Sequence, residues 1–383
     1  MTEAFKNLLN PSVVQQAAQC LQQVAPEFDA PRFARLACDG LEALEMKARA
    51  LHICAALQAT LPADFLRAAG FLEAALAPPE AGEAMAQLHG LTAGLRGWIL
   101  WPVGEYIARC GLAHPGPALQ TLHALTQRFT AEFAIRPFIE HHPELSFTTL
   151  RHWVDDDSAH VRRLVSEGSR PRLPWGQQLK ALIRDPSPSL PLLQALQDDP
   201  SPYVRRSVAN HLNDIAKDHP QLIAQWLQRH LPQAGAERRA LLKHASRTLI
   251  KAGDPAVLKA WGLGGNFAGQ VRLKLNPPRV QLGGQVQLSL KLQSGSKHAQ
   301  NLAIDYAVHH VKADGSSSPK VFKGWMLQLP AQGAKRLEKS HSMRLITTSA
   351  SPPRVSRRLV KTAAPGAPAE RRGVPLRRSE CTR

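Results

Sequence analysis

From Phe5 to about Trp261, apolar side chains return at every third and fourth position, the spacing that lines them along one side of an α-helix. In "VVQQAAQCLQQV" the period places Val13, Ala17, Cys20, Leu21 and Val24 on one face, which is expected to be buried. Proline, aspartate and histidine interrupt the pattern at short intervals, in "PEFDAPRF", "LPADF", "HPGP", "HHPEL", "RDPSPSLP", "DDPSPYV", "KDHPQ" and "AGDPAV". Helices of roughly ten to fifteen residues with such short joints predict antiparallel helical pairs.

One phrase occurs twice. "DDDSAHVRRL" at Asp155 and "DDPSPYVRRS" at Asp198 share Asp-Asp-x-Ser-x-x-Val-Arg-Arg at an interval of 43 residues. Stacked helical repeats of the HEAT and armadillo type have periods of roughly 40 to 47 residues. In each copy the Asp and Ser oxygens are expected to accept the free backbone N–H groups of a helix start. The valine would enter the stack, and the arginine pair would stand near the start of the second helix. "LHALTQRFTAEFAIRPFIEHHP" and "ERRALLKHASRTLIKAGDPAVLKAW" have the same character in poorer register. Residues 1–261 are therefore expected to form a mostly α, HEAT-like helical-repeat solenoid.

After the glycine-rich "GLGGNFAG" the period changes to two. "VRLKL" and "VQLSLKL" alternate strictly, "LAIDYAV" does so in part, and "KVFKGWMLQL" adds a fourth strand-like run. "NPP", "LGG", "QSGS" and "ADGSSS" supply turns. Residues 268–348 are expected to form a small immunoglobulin-like β domain. From Ser349 the chain is rich in Pro, Ala, Arg and Ser, so residues 349–383 are expected to be disordered.

Charge narrows the class of partner. Lys and Arg number 48 against 30 Asp and Glu, a formal net charge of +18, which attracts polyanions. The tail holds seven of those charges, and the remaining +11 makes the same argument without it. Five scattered cysteines with no C-x-x-C pair suit reduced thiols in a cytosol. "MTEAFKNLLNPS" lacks the apolar region of a secretory signal, and "GWILWPVG" falls well short of a membrane span. The expectation is a soluble monomer in a bacterial-type cytoplasm, with no membrane association.

Several catalytic signatures are absent: no phosphate-loop pattern, no H-E-x-x-H, and no glycine fingerprint that opens a helix. The pairs His141–His142 and His309–His310 are badly spaced for joint chelation, which favours solvated or capping roles. Polar signal concentrates between Arg128 and Asp214. Glu132 stands among Phe129, Phe133, Ile135 and Phe138, as a functional carboxylate or as a partner of Arg128 or Arg136. Arg162, Arg163, Arg170 and Arg172 precede Trp175, and guanidinium forks suit phosphate oxygens. Trp175 could stack on a base or sugar, or fill a gap between repeats. Arg206, Asn210 and Asp214 form an i, i+4 stripe, either a solvated face or a ligand surface.

The chain resembles the HEAT-repeat alkylpurine DNA glycosylases, specifically the AlkC-like branch of the AlkC/AlkD superfamily. The resemblance covers roughly residues 1–348. It rests on "EAFKNLLN", "DGLEALEMKAR", "TAEFAIRPFI", "HVRRLVSEGSRPRLPWG", "DPSPYVRRSVANHLNDIAKDHP" and "RRALLKHASRTLIKAGDPAVL", followed by an immunoglobulin-like domain. It implies excision of 3-methyladenine and 3-methylcytosine from double-stranded DNA without drawing the base into a pocket, and it calls for no metal and no cofactor. By resemblance, Glu132 is the carboxylate that stabilises an oxocarbenium-like deoxyribose, and Asp214 is a second carboxylate that positions water. Trp175 packs against the lesion or its sugar, and Arg163 inserts at the kink or clamps a phosphate. Arg162, Arg170, Arg172, Arg205, Arg206, Asn210, Lys243, His244 and Arg247 are the expected DNA contacts. The competing reading is a non-catalytic helical-repeat module that holds nucleic acid or a protein partner.

The sequence departs from the family after "MRLITT". The stretch from "SASPPRVSRR" to the C-terminal Arg383 has the composition of a GC-rich gene read out of frame. A frameshifted C-terminus predicts a β domain without its last strands.

Overall fold

A computed structural model describes residues 5–80, 91, 93–263, 267–278, 280–281, 283–311, 316–343 and 357–358. The chain forms two compact units, Met1–Pro220 with Gln233–Ser246, and Gln221–Pro232 with Arg247–Arg383.

The first unit is built of helices: α1 (Pro11–Val24), α2 (Ala30–Cys38), α3 (Met46–Thr60), α4 (Phe65–Ala74), α5 (Leu100–Cys110), α6 (Pro115–Thr126), α7 (Arg136–His141), α8 (Pro143–Trp153), α9 (Ala159–Gly168), α10 (Lys180–Arg184), α11 (Leu190–Leu196), α12 (Pro202–Ile215) and α14 (Ala236–Ala245). Local chemistry explains where many of them begin. Asn10, Asp29, Asp64 and Ser201 each accept an N–H from the first turn, and prolines occupy the opening positions of α1, α6, α8 and α12. Of the face expected on α1, Ala17, Cys20 and Leu21 are buried, joined by Val14 and Ala18, while Val13 is half-buried and Val24 exposed. The i, i+3, i+4, i+7 spacing of Val14, Ala17, Ala18 and Leu21 widens the stripe on that side.

The family segments at the N-terminus meet through one side chain. Buried Arg49 donates to the carbonyls of Lys6 and Leu9, and also to those of Glu42 and Leu44. "EAFKNLLN" is thereby stitched to "DGLEALEMKAR" through backbone carbonyls. The His-Pro punctuation has a similar purpose. His142 Nε2 donates to Leu112 O, and His219 Nε2 to Ile183 O, each bracing a helix start against a segment 30 or 36 residues earlier.

α9 packs on α12, and α12 on α14. The repeated phrase lies at the starts of α9 and α12. Val161 and Val204 are fully buried, and in each copy the Ser N–H bonds to the Asp two residues before it, Ser158 to Asp156 and Ser201 to Asp199. The copies differ at the cap. Ser201 Oγ accepts from Tyr203 N and Val204 N, whereas the Ser158 side chain makes no cap bond.

The second unit holds α13 (Pro220–His230) from Gln221 on, α15 (Arg247–Ala252), α16 (Pro255–Ala260) and two three-stranded antiparallel sheets. One sheet orders β1 (Gly269–Asn276), β2 (Gln285–Ser294) and β5 (Ala334–Ser342); the other orders β4 (Ser317–Leu329), β3 (Gln300–Val311) and a two-residue β6 (Arg357–Arg358). Alternate residues of β2 and β3 supply the core: Leu288, Leu290 and Leu292 from one, Leu302, Ile304, Tyr306 and Val308 from the other. This is the expected immunoglobulin-like arrangement, with two strands, β5 and the two-residue β6, beyond the four runs the sequence marked. β5, "AKRLEKSHS", pairs with β2 from Gln285↔Ser342 to Gln293↔Ala334, although Leu337 is its one large apolar residue. β6 pairs with Ala307 and Val308. The expectation of a disordered or frameshifted 349–383 lies, apart from those two residues, outside the described residues. No helix among the described residues is long and apolar enough to cross a membrane.

Candidate functional site

Glu132 lies in the turn that leads into α7, and Arg163 on α9 reaches it. Oε2 of Glu132 accepts a hydrogen bond from Arg163 Nη1 at 2.7 Å and another from Thr130 Oγ1. Arg163 Nη1 also donates to Thr130 Oγ1 at 3.2 Å. Oε1 takes no hydrogen bond among the described residues, and the side chain is 12% exposed. One oxygen is thus tethered while the other is left over. The Arg163 guanidinium lies 4.9 Å from the Tyr203 ring centroid, so an aromatic face and a carboxylate fix it together.

From Arg163 a line of alternating charges runs inward. Arg163 is 3.9 Å from Glu167, Glu167 bonds Arg170 at 2.6 Å, Arg170 bonds Asp214 at 2.7 Å, and Asp214 bonds Lys217 at 2.9 Å. Ser207 Oγ adds a 2.6 Å bond to Glu167. Buried charges persist only when paired and hydrogen-bonded, and here each has its counterpart. Burial pushes the Glu167 carboxyl pKa up, yet Arg163, Arg170 and the Ser207 hydroxyl together hold it below the usual value. Burial likewise opposes the charge on Arg163 and Arg170, but the neighbouring carboxylates keep both pKa values above the ordinary one. Alongside, His211 Nδ1 donates to Ser166 O at 2.9 Å. Burial depresses its pKa to about 3, and Nε2 has no hydrogen-bond partner among the described residues, so the ring is neutral.

Trp175 sits in the loop between α9 and α10. Gly176 N donates to Leu173 O at 3.2 Å, closing a turn with Pro174 at its second position and Trp175 at its third. Trp175 has φ +64°, where a type II turn ordinarily takes glycine. A bulky residue in that conformation is strained, and such strain clusters at functional sites. The turn leaves the indole 74% exposed. The turn rests on the segment that carries the carboxylate: a Cβ on Gly176 would come within 3.3 Å of the ring of Phe133, the residue after Glu132.

The residues expected to contact DNA divide into two groups. Arg162 gives its fork to Asp199 and one nitrogen to the carbonyls of Asp156 and Asp157. Arg205, 43 residues on, repeats this with the carbonyls of Asp199 and Pro200 and a 3.3 Å pair to Glu237. Arg170 is buried on Glu167 and Asp214, and Arg172 grips Asp218 with two 2.8 Å bonds. Each of these four arginines, expected as a DNA contact, has guanidinium nitrogens bonded within the protein. Asp214, expected to position water, is likewise bonded inside the protein. It is 2% exposed and its two oxygens are taken by Arg170 and Lys217. Asn210 Oδ1 bonds His244 Nε2 at 2.8 Å, joining α12 to α14. Arg206 and Lys243 remain exposed, and Arg247 opens α15 in the second unit. Glu132 and Arg163 are bonded to each other, and the turn of Trp175 lies against Phe133, next in the chain to Glu132.

Sequence reasoning missed Thr130, Glu167, Ser207 and Tyr203. Tyr203 had a signal, since it stands 43 residues after His160 at the same place in the repeated phrase, and the two rings meet edge-to-face at 5.8 Å. Glu167 had a signal in Arg163 four residues before it and Arg170 three after, whereas Ser207 reaches it only through helix packing. Among the described residues no group of three or more His, Cys, Asp or Glu side chains could hold a metal ion.

Comparison with known proteins places the chain in a family. Residues 270–353 match the family model of the C-terminal Ig-like domain of the uncharacterised protein YhaZ. The YhaZ protein of Bacillus subtilis (strain 168) is 35% identical over 350 residues, covering 90% of this chain and 92% of the relative. The solved structure of the alkylpurine DNA glycosylase AlkC of Pseudomonas fluorescens, bound to DNA containing an abasic site analog, superposes with a TM-score of 0.82. That match has 30% sequence identity and covers 98% of this chain and all of the other. The chain belongs to the AlkC-like family. Its family segments are those that build the site: "TAEFAIRPFI" carries Glu132, "HVRRLVSEGSRPRLPWG" carries Arg163 and Trp175, and "DPSPYVRRSVANHLNDIAKDHP" carries Tyr203 and the brace to α14.

Proposed function

We propose that this protein is a DNA glycosylase that hydrolyses the N-glycosidic bond of cationic N3-methylated bases, 3-methyladenine and 3-methylcytosine, in double-stranded DNA. The observation that carries the reading is Glu132. Its carboxylate is fixed through Oε2 by Thr130 and Arg163, Oε1 takes no hydrogen bond among the described residues, and the neighbouring Phe133 receives the turn that exposes Trp175. A base methylated at N3 is positively charged and leaves readily. As the bond from C1′ to the base breaks, the electron pair neutralises the base and the sugar becomes oxocarbenium-like. A preorganised carboxylate stabilises that charge, and Oε1 accepts a proton as water adds to C1′. The Trp175 indole offers a π face to the cationic nucleotide. Exposed Arg206 and Lys243 supply phosphate contacts. Because the exposed chemistry is presented by a turn, the lesion is read at the surface and no base is drawn into a pocket. The protein acts as a monomer in the cytoplasm.

Release of free methylated base from alkylated duplex DNA tests the reading. Wild-type protein should release it, and Glu132→Gln should lower the single-turnover rate by about 10² to 10³-fold. The inward commitment of Asp214 and four arginines favours one alternative, a module that only holds damaged DNA. Tight binding with no release by wild-type protein would establish that alternative instead.

A further inference from the structure

The loop that carries Trp175 is seated on the segment that carries Glu132, and one buried side chain ties both of its ends there. Arg136, the first residue of α7, has no exposed surface. Its Nη1 donates to Gly168 O at 2.8 Å, where α9 ends and the loop begins. Its Nε donates to Gln177 O at 2.5 Å, two residues after Trp175. Burial pulls its pKa down to about 10, so the guanidinium keeps its charge at neutral pH.

The loop's two glycines explain how it comes close enough. A Cβ on Gly168 would meet Ile135 Cγ2 at 2.6 Å, and one on Gly176 would meet Phe133 at 3.3 Å. Phe133, Ile135 and Arg136 therefore receive the loop at both ends, within four residues of Glu132. Among the described residues Arg136 has no carboxylate in hydrogen-bond contact. It binds carbonyls, as Arg49 does near the N-terminus, but those carbonyls bracket the tryptophan turn.

We infer that Arg136 is a positioning residue whose carbonyl clasp holds the Trp175 turn in fixed relation to Glu132, so that indole and carboxylate are presented as one rigid unit. The inference rests on the glycosylase reading for its catalytic consequence and on geometry alone for the clasp. The strained φ of Trp175 gives the clasp its purpose, because a turn in that conformation relaxes unless its ends are held.

Two readouts test it on the full chain. With 5-fluorotryptophan incorporated, the Trp175 fluorine resonance is assigned by its loss in Trp175→Phe. That resonance should shift or broaden in Arg136→Lys and in Gly176→Ala, which lifts the turn without touching a buried charge. It should stay in place in Arg49→Lys, a matched loss of a buried carbonyl-binding arginine. In the base-release assay, Arg136→Lys and Gly176→Ala should each lower the single-turnover rate by about 10 to 100-fold with little change in DNA affinity. In a Trp175→Ala background, Arg136→Lys should cost no more than about 2-fold. An unmoved fluorine resonance in both variants would overturn the clasp. So would an Arg136 effect of full size without the tryptophan. If wild-type protein releases no base yet the resonance moves as stated, the clasp stands and only the catalytic reading falls.

Discussion

Arg163 Nη1 donates to Glu132 Oε2 at 2.7 Å, and Oε1 is left without a bond among the described residues. This asymmetry predicts a difference between two variants. Glu132→Gln removes the charge and should abolish most base release. Arg163→Met keeps the carboxylate but frees it to rotate, and should cost about 10-fold or more in rate. DNA affinity should fall less than rate in both. Single-turnover kinetics at saturating protein checks this, and a normal rate in Arg163→Met would show that the tether is not needed.

Trp175 should trade stability against function. At φ +64° its backbone costs about 1 kcal/mol or more, while its exposed ring contributes little burial. Trp175→Gly is therefore expected to unfold at equal or higher urea concentration than wild type, with base release reduced by at least about 10-fold. Trp175→Ala loses the ring and keeps the strain, so it should match the activity loss without the gain in stability. A clear destabilisation by Trp175→Gly would mean that the ring packs against the fold.

The helical repeat was legible because its signals are local: three-and-four periodicity, proline at helix starts, and Asp-Ser turns at an interval of 43 residues. The strand β5 was not, because "AKRLEKSHS" has one apolar position of note and is held by backbone bonds to β2. At the site, Glu132 and Trp175 stood out by residue type in apolar or breaker-rich surroundings. The arginines were ambiguous. A run of cations looks the same whether its partners are phosphates outside or carbonyls and carboxylates inside. Arg162 finds Asp199 at a distance of 37 residues, and Arg170 finds Asp214 at 44, separations that only helix packing brings together.

His211 makes the first unit sensitive to acid. Its pKa is about 3 in the folded protein, against 6.5 for an ordinary histidine. Between those values the unfolded chain binds a proton that the folded chain does not, so stability falls as pH falls from about 6.5 towards 3. The contribution is at most about 1.4 kcal/mol per pH unit. Glu167, with its pKa held below 4.5, adds a loss in the same direction at the acid end of the window. Urea unfolding between pH 7 and pH 4 should show a shallower pH dependence in His211→Gln than in wild type, whatever the variant costs at pH 7. Parallel profiles would mean that His211 titrates normally in the folded state.

Arg205 and Arg206 are neighbours with opposite expected phenotypes. Arg205 is bonded to Asp199 O and Pro200 O and paired with Glu237, repeating the bonds of Arg162 one repeat earlier. Arg205→Ala strips two carbonyls of a charged donor and should destabilise the protein by about 1 to 3 kcal/mol. Its DNA binding, measured well below the unfolding transition, should keep the wild-type salt dependence. Arg206 is exposed. Arg206→Ala should leave stability within about 0.5 kcal/mol of wild type, as expected for a surface site. It should also weaken binding to any duplex and lower the slope of log K against log salt by about 0.9, the signature of one lost phosphate contact. Titrations of both variants with undamaged duplex at several salt concentrations separate the roles. A reduced salt slope for Arg205→Ala with unchanged stability would return that residue to the DNA surface and undo the division between inward and outward arginines.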